Sequence, residues 1–164
     1  MVDGAWKMTE AENKRVVEVA DMPVYQLFYQ LALDVEKHSR NFGADFRWLR
    51  NQMLRASESA CANMTESFYT QYSTEYVQSL YRSRREARET MAHLTYARDV
   101  QQLAPTVFED LDGRYCEALR QLNLLIGSIE RKITEKGKGK PGVLLKEDEA
   151  DYVTDLVAPS AIHH

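Results

Sequence analysis

Cysteine, proline and glycine are all scarce, with 2 Cys, 4 Pro and 7 Gly among 164 residues. Two thiols, Cys61 and Cys116, cannot supply the disulfide framework of a small secreted domain. Each falls within a helical pattern and reads as a small buried apolar residue. Glycine and proline fall near the boundaries of long helical patterns, so few interior turns are available. No stretch reaches the ~18 consecutive apolar residues of a membrane span. The first fourteen residues mix Asp3, Lys7, Glu10 and Glu12 with their few apolar side chains, so the apolar core of an export signal is missing. The expectation is a cytoplasmic chain with reduced thiols, in which Asn63-Met64-Thr65 matches a glycosylation sequon by chance. Also missing is any alternation of period two, the mark of a half-buried strand, and the class that remains is all-α.

Catalytic patterns are absent as well. A di-iron site in a helical bundle needs Glu-x-x-His on two helices, and this sequence has none. Glu89 and His93 lie four apart and share a helix face, but two ligands do not make a metal site. They read as a contact on the helix surface. The Gly-rich stretch over residues 136–142 lacks the Gly-Lys-Ser/Thr ending of a phosphate loop. With Cys61 and Cys116 far apart and no histidine pattern near either, no nucleophile–base pair suggests itself. The expectation is therefore a protein with no catalytic residues, no bound metal and no cofactor.

What is present is ordinary globular composition, 44% hydrophobic and 28% charged, arranged with helical period. After a polar lead-in, Val24, Leu27, Phe28, Leu31 and Val35 repeat at i, i+3, i+4, i+7 behind Pro23. A second helix is expected over residues 45–70, facing inward through Phe46, Leu49, Met53, Ala56, Ala60, Met64 and Phe68. Ser73 is a suitable N-cap for a third over residues 76–103, with Val77, Leu80, Ala87, Met91 and Leu94 as its core face. Pro105 opens a fourth, whose stripe is Leu111, Tyr115, Ala118, Leu122, Leu125, Ile129 and Ile133. Gly113 blemishes that helix, and Gly127 is a place where another helix could approach closely. Short breaks between long helices favour neighbours of opposite direction. The expected architecture is an up-down-up-down antiparallel four-helix bundle over residues 23–136. A lead-in (residues 1–22) precedes it, and a linker with a flexible acidic C-terminal tail (residues 137–164) follows. In that tail Val143, Leu144, Leu145, Tyr152, Val153 and Leu156 surround acidic residues. It reads as a segment either disordered alone or docked on the bundle or on a neighbouring subunit. His163-His164 receives no function.

Charge is unevenly placed. Residues 1–39 hold 4 basic and 7 acidic side chains, residues 40–140 hold 16 and 13, and residues 141–164 hold 1 and 5. A mildly basic middle lies between acidic ends, which disfavours nucleic-acid binding by bulk charge but leaves local basic surfaces open. The densest cluster runs from Tyr81 to Glu89. There Arg82 can pair with Glu86, and Arg85 with Glu89, at i, i+4. Arg84 and Arg88 are left over, and Arg84 falls at a core-side step between Leu80 and Ala87, where a guanidinium must find a partner. Three partners are open for it: a carboxylate of the same bundle, a carboxylate across a subunit interface, or a nucleic-acid phosphate. Arg131, Lys132, Lys136, Lys138 and Lys140 form a second basic cluster. Cations there offset the helix macrodipole, but five in ten residues exceed what that requires, so phosphate contact stays open. Tyr69, Tyr72, Tyr76 and Tyr81 gather round the second turn, either packed at the bundle end with hydroxyls in water or at an oligomer interface.

Residues 48–57 (Trp-Leu-Arg-Asn-Gln-Met-Leu-Arg-Ala-Ser) and 59–68 (Ser-Ala-Cys-Ala-Asn-Met-Thr-Glu-Ser-Phe) resemble a family signature. It belongs to the four-helix-bundle proteins associated with intervening sequences in 23S ribosomal RNA genes. Tyr76-Val77, the Glu86-Ala87-Arg88-Glu89-Thr90 run, Leu94 and Ala97 look like that family's third helix. The resemblance extends over about residues 24–133, and Ser67 stands where the family usually has Gly. It implies a bundle that assembles as a ring-like homopentamer and has no established enzymatic activity. Accessory proteins of diversity-generating retroelements are similar in fold and are thought to bind nucleic acid and a reverse transcriptase through a basic surface. The end of helix four here looks like theirs. The function expected is a non-catalytic homo-oligomeric scaffold. It would present basic helix surfaces to RNA, DNA or a nucleic-acid enzyme such as a reverse transcriptase. The alternative is an oligomeric protein-interaction module with no nucleic-acid role.

Overall fold

The computed structural model describes residue 16 and residues 18–138. Four helices carry the chain: α1 (Pro23–Ser39), α2 (Arg47–Thr65), α3 (Thr74–Asp99) and α4 (Pro105–Gly137), with single 3₁₀ turns at Val19–Asp21, Ala44–Phe46 and Phe68–Thr70. No strand occurs among the described residues. Proline supplies the first residue of α1 and of α4, where its missing N–H costs no helical bond. Ser73 caps α3 by accepting from the Tyr76 backbone N–H at 3.1 Å. At 33 residues, α4 is about 50 Å long.

Two helices stop sooner than their apolar periodicity suggests. The expected second helix reaches residue 70, but α2 ends at Thr65 because Ser67 is left-handed, with φ 59°. A residue just past a helix end commonly takes this conformation, and glycine takes it without strain. Ser67 thus holds a backbone shape that glycine takes more readily, its hydroxyl bonded to the Glu75 carboxylate at 2.9 Å. The expected third helix reaches residue 103, but α3 ends at Asp99. Gln101 is left-handed with φ 62°, and the amides of Gln102 and Leu103 both return to the Ala97 carbonyl.

Each helix contacts its neighbours in chain order, and α4 closes the set against α1. The α1–α2 loop meets the α3–α4 loop, where the Gly43 amide donates to Gln102 Oε1 at 2.7 Å. Phe28, Leu31, Leu49, Met53, Met64, Leu80, Leu94, Leu111, Tyr115 and Leu122 are sealed from solvent at the centre, each large side chain contributing roughly 1.5–3 kcal/mol by its burial. Small residues line the α2–α3 seam: Ala56, Ser57 and Ala60 on α2 and Ser79, Ser83, Ala87 and Thr90 on α3. They bring the two backbones so close that Ser83 Oγ donates to the Ala60 carbonyl at 2.8 Å. Across the α1–α4 seam, Phe28 packs on Tyr115 with ring centroids 6.1 Å apart, and Arg114 reaches Asp34 at 2.7 Å.

Several expected core positions move. On α3 the buried step after Leu80 is Ser83, and Arg84 sits one position off it, half-buried; Met91 is half-buried and Thr90 takes the inner place. On α4, Ile126 is buried, whereas Leu125 and Ile133 are only partly so. Gly127 does not mark a close helix crossing. A Cβ there would meet only the Arg131 guanidinium, at 3.7 Å. Cys61 is buried as expected, but Cys116 is exposed, because α4 turns it one step past the inward Tyr115. The acidic tail and Lys140 lie outside the described residues.

Candidate functional site

The arginines of α3 divide by the neighbour each faces. Arg82 does not pair with Glu86. It turns toward α2, where it donates to Asn63 Oδ1 at 3.2 Å and approaches Glu66 at 3.3 Å. Arg85 does not reach Glu89 but lies 3.8 Å from the adjacent Glu86. Glu89 instead faces His93 Nε2 at 3.5 Å, an approach their spacing suggested, but the nitrogen is buried and closes no hydrogen bond on the helix surface. Arg84 spans to α4, donating to Asn123 Oδ1 at 3.1 Å, while its guanidinium carbon lies 4.8 Å from the Tyr81 ring centroid. The Tyr81 hydroxyl in turn bonds the Glu130 carboxylate. Tyr81, Arg84, Asn123 and Glu130 thus form a polar stitch across the α3–α4 seam, outside the apolar core.

Arg88 and Arg131 are open cations, as are Arg47 and Arg55 on α2. All four are exposed, and none is within ion-pair distance of a carboxylate among the described residues. Arg131 folds back along α4 over Gly127, and Gly127 lies one turn beyond the Asn123 that Arg84 holds. Along the helices Arg88 lies one turn from Arg84 on α3 and Arg131 two turns from Asn123 on α4, and the fork of a guanidinium suits a phosphate oxygen pair.

The lysines that follow Arg131 point elsewhere. A helix turns 100° per residue, so Lys132 and Lys136 share a face that Arg131 does not. That face meets the α2–α3 turn, where Lys132 Nζ and Lys136 Nζ lie 4.6 and 5.3 Å from the centroid of the Tyr72 ring. Each such contact is worth about 0.5–1 kcal/mol at an exposed site. Tyr72 is itself left-handed, φ 67°, an uncommon state for a bulky residue, and it lies two residues past the 3₁₀ turn, directly before the Ser73 cap. Lys138 is exposed at the end of α4.

The tyrosines at this end take unlike roles. Tyr69 is 89% exposed. Tyr76 is buried, with its hydroxyl on the Met22 sulfur at 3.5 Å, and burial pushes its phenol up to about 12. Sequence reasoning grouped them by proximity along the chain and missed Tyr72 as the ring under the lysines. It also missed Asn123 as the partner of Arg84, and an exposed edge-to-face pair, Trp48 with Tyr96, at 5.6 Å between α2 and α3.

Nucleophile chemistry has little support in this arrangement. Burial, with Glu58 nearby, pushes the Cys61 thiol up to about 12, far from the thiolate a reactive cysteine needs. Partial burial and the neighbouring Asp112 also raise the exposed Cys116. Among the described residues no three His, Cys, Asp or Glu side chains are grouped as a metal ion would require, and no helix is long and apolar enough to cross a membrane.

The profile of the 23S rRNA-intervening sequence proteins matches residues 20–124. This chain belongs to that family. The match takes in α1, α2, α3 and the first part of α4, and therefore Arg84 and Arg88. Arg131 and the lysines of α4 lie beyond it. No curated protein matches the chain.

Proposed function

We propose that this protein is a non-catalytic homo-oligomeric scaffold, its four helices alternating up and down, that binds RNA or DNA through the arginine face of α3 and α4. The observation that supports the reading is that Arg88 and Arg131, on the two helices that the Arg84–Asn123 bond joins, are exposed and have no carboxylate within ion-pair distance among the described residues. Long-range attraction would come from the local cluster, since the whole chain has a net charge of −4. Membership of a family linked to ribosomal RNA genes agrees with a nucleic-acid partner, and a nucleic-acid enzyme such as a reverse transcriptase could be carried on the same surface. Assembly as a ring of five would repeat the face around an axis and multiply weak phosphate contacts.

The test is titration against generic RNA and DNA at two salt concentrations. Binding through phosphate should weaken steeply with salt, and Arg88→Ala or Arg131→Ala should each reduce the log–log slope by about one. Absence of binding at low salt would remove the reading. A second reading, an oligomeric protein-interaction module with no nucleic-acid role, is favoured by the large apolar side chains left open, Tyr29, Leu33, Trp48, Tyr96 and Leu124. If Arg84 also serves assembly, Arg84→Ala lowers the mass seen by light scattering. A lower melting temperature at unchanged mass instead confines Arg84 to its own bundle.

A further inference from the structure

A groove of ≈ 340 Å³ opens where the start of α1 and the α2–α3 turn meet the last third of α4. Met22, Val24, Phe68, Tyr72, Leu125 and Ile129 line it, and Lys132 stands on its rim. The groove is mostly apolar, yet beside it Lys132 and Lys136 share a single aromatic ring, and neither has a carboxylate partner among the described residues. Two ammonium groups over one ring repel each other, so the rim calls for negative charge while the floor calls for apolar side chains.

We infer that the groove is the docking site of the chain's own C-terminal segment. Val143, Leu144 and Leu145 fill the floor, and Glu147, Asp148 and Glu149 face Lys132 and Lys136. Three observations select this occupant. The first is composition: three apolar residues and, after Lys146, three acidic ones suit an apolar floor with a basic rim. The second is reach. From Ile129 to Lys138 the helix advances about 14 Å, and five further residues span up to about 17 Å, so residues 143–145 are within reach of the groove, with the turn-forming residues Pro141 and Gly142 on the way. The third is charge. Residues 141–164 hold 1 basic and 5 acidic side chains, whereas residues 1–15, which precede the lining residue Val16, hold 3 of each and offer the lysines no net attraction. The docked segment covers Lys132 and Lys136 but leaves Arg88 and Arg131 open. The inference thus stands apart from phosphate binding by the arginine face: a segment that docks on a protein that ignores RNA leaves it intact.

Hydrogen exchange of the full-length protein, read by mass spectrometry on peptides covering residues 143–156, tests it. Those amides should exchange about tenfold or more slowly than the same synthetic peptide free in solution. Protection should vanish in Leu144→Asp/Leu145→Asp and in Lys132→Glu/Lys136→Glu. It should return when the second pair is combined with Glu147→Lys/Glu149→Lys, while the α2 and α3 core amides stay unchanged throughout. Exchange at the free-peptide rate in the unaltered protein would overturn the assignment, as would protection that survives both double substitutions. Protection lost on dilution would overturn it too, since the occupant would then come from a second copy.

Discussion

Two seams of the bundle, α2–α3 and α1–α4, are built from different materials. Between α2 and α3 the buried residues are small: Ala56, Ser57, Ala60, Ser79, Ser83 and Ala87. The backbones come close enough for a hydroxyl on one helix to reach a carbonyl on the other. Between α1 and α4 the buried residues are bulky, Phe28 and Leu31 facing Leu111, Tyr115 and Leu122. That seam widens toward the end of α4 into the groove beside Tyr72. A close seam leaves no room for a ligand and acts as a spine. A seam spaced by large side chains fills where they meet and opens where they stop, which is why the groove lies where the bulky pairs run out.

The largest expected effect comes from the bulky seam. Phe28, 1% exposed, packs on Tyr115, and Phe28→Ala should cost about 3–5 kcal/mol in chemical denaturation, through lost transfer energy and the cavity left behind. A cost below about 1 kcal/mol would mean that the seam collapses freely and that its spacing is not fixed by side-chain size. In the close seam the damaging change is the reverse. Ala60, 0% exposed, has its carbonyl bonded to Ser83, and Ala60→Leu should cost about 1–3 kcal/mol by overpacking. Its signature is loss of the Ser83 bond, visible as faster amide exchange in both helices. If Ala60→Leu were neutral, the seam would have slack and the comparison would fail. Between these seams sits the turn that joins α2 to α3. Ser73→Ala removes the cap on the Tyr76 amide and should cost about 1 kcal/mol. A cost near zero would show that packing alone fixes the start of α3.

The starts of α1, α3 and α4 were legible because each has a local chemical cause: Pro23, the Ser73 cap and Pro105. The α1 stripe of Val24, Phe28, Leu31 and Val35 was legible because apolar periodicity there has no competitor. The helix ends at Thr65 and Asp99 were not, since Ser67 and Gln101 adopt left-handed backbone that their residue types do not announce. Arg84 looked like a core-side step because it falls between Leu80 and Ala87, yet Ser83 takes the inner place. Its hydroxyl can be buried because the close seam supplies the Ala60 carbonyl as acceptor. Arg131 and Lys132 read as one basic cluster because they are adjacent in sequence, yet one helical step sends them to different faces. Only Tyr72, held by a turn, shows where the lysines go.

The smallest expected effect belongs to an ion pair in neither seam, and its size is the point. Hydrogen bonds from Arg120 at 2.9 and 2.7 Å, with a further one from Gln121, hold the Glu117 carboxyl down from 4.5 to about 2. A lowered value means that the folded state favours the ionised form. The contribution is therefore fully present above pH 4.5 and is lost as pH falls through about 2. Both partners are exposed, so solvent and salt screen the pair and little stability rides on it. Glu117→Gln should lower the melting temperature marginally at neutral pH and not at all below about pH 2, and the difference should shrink in concentrated salt. The cost of Phe28→Ala should instead persist across salt and through the acid titration of Glu117. A Glu117→Gln difference that grew on acidification, or that rivalled the cost of Phe28→Ala, would mean that surface charge carries stability here assigned to the two seams.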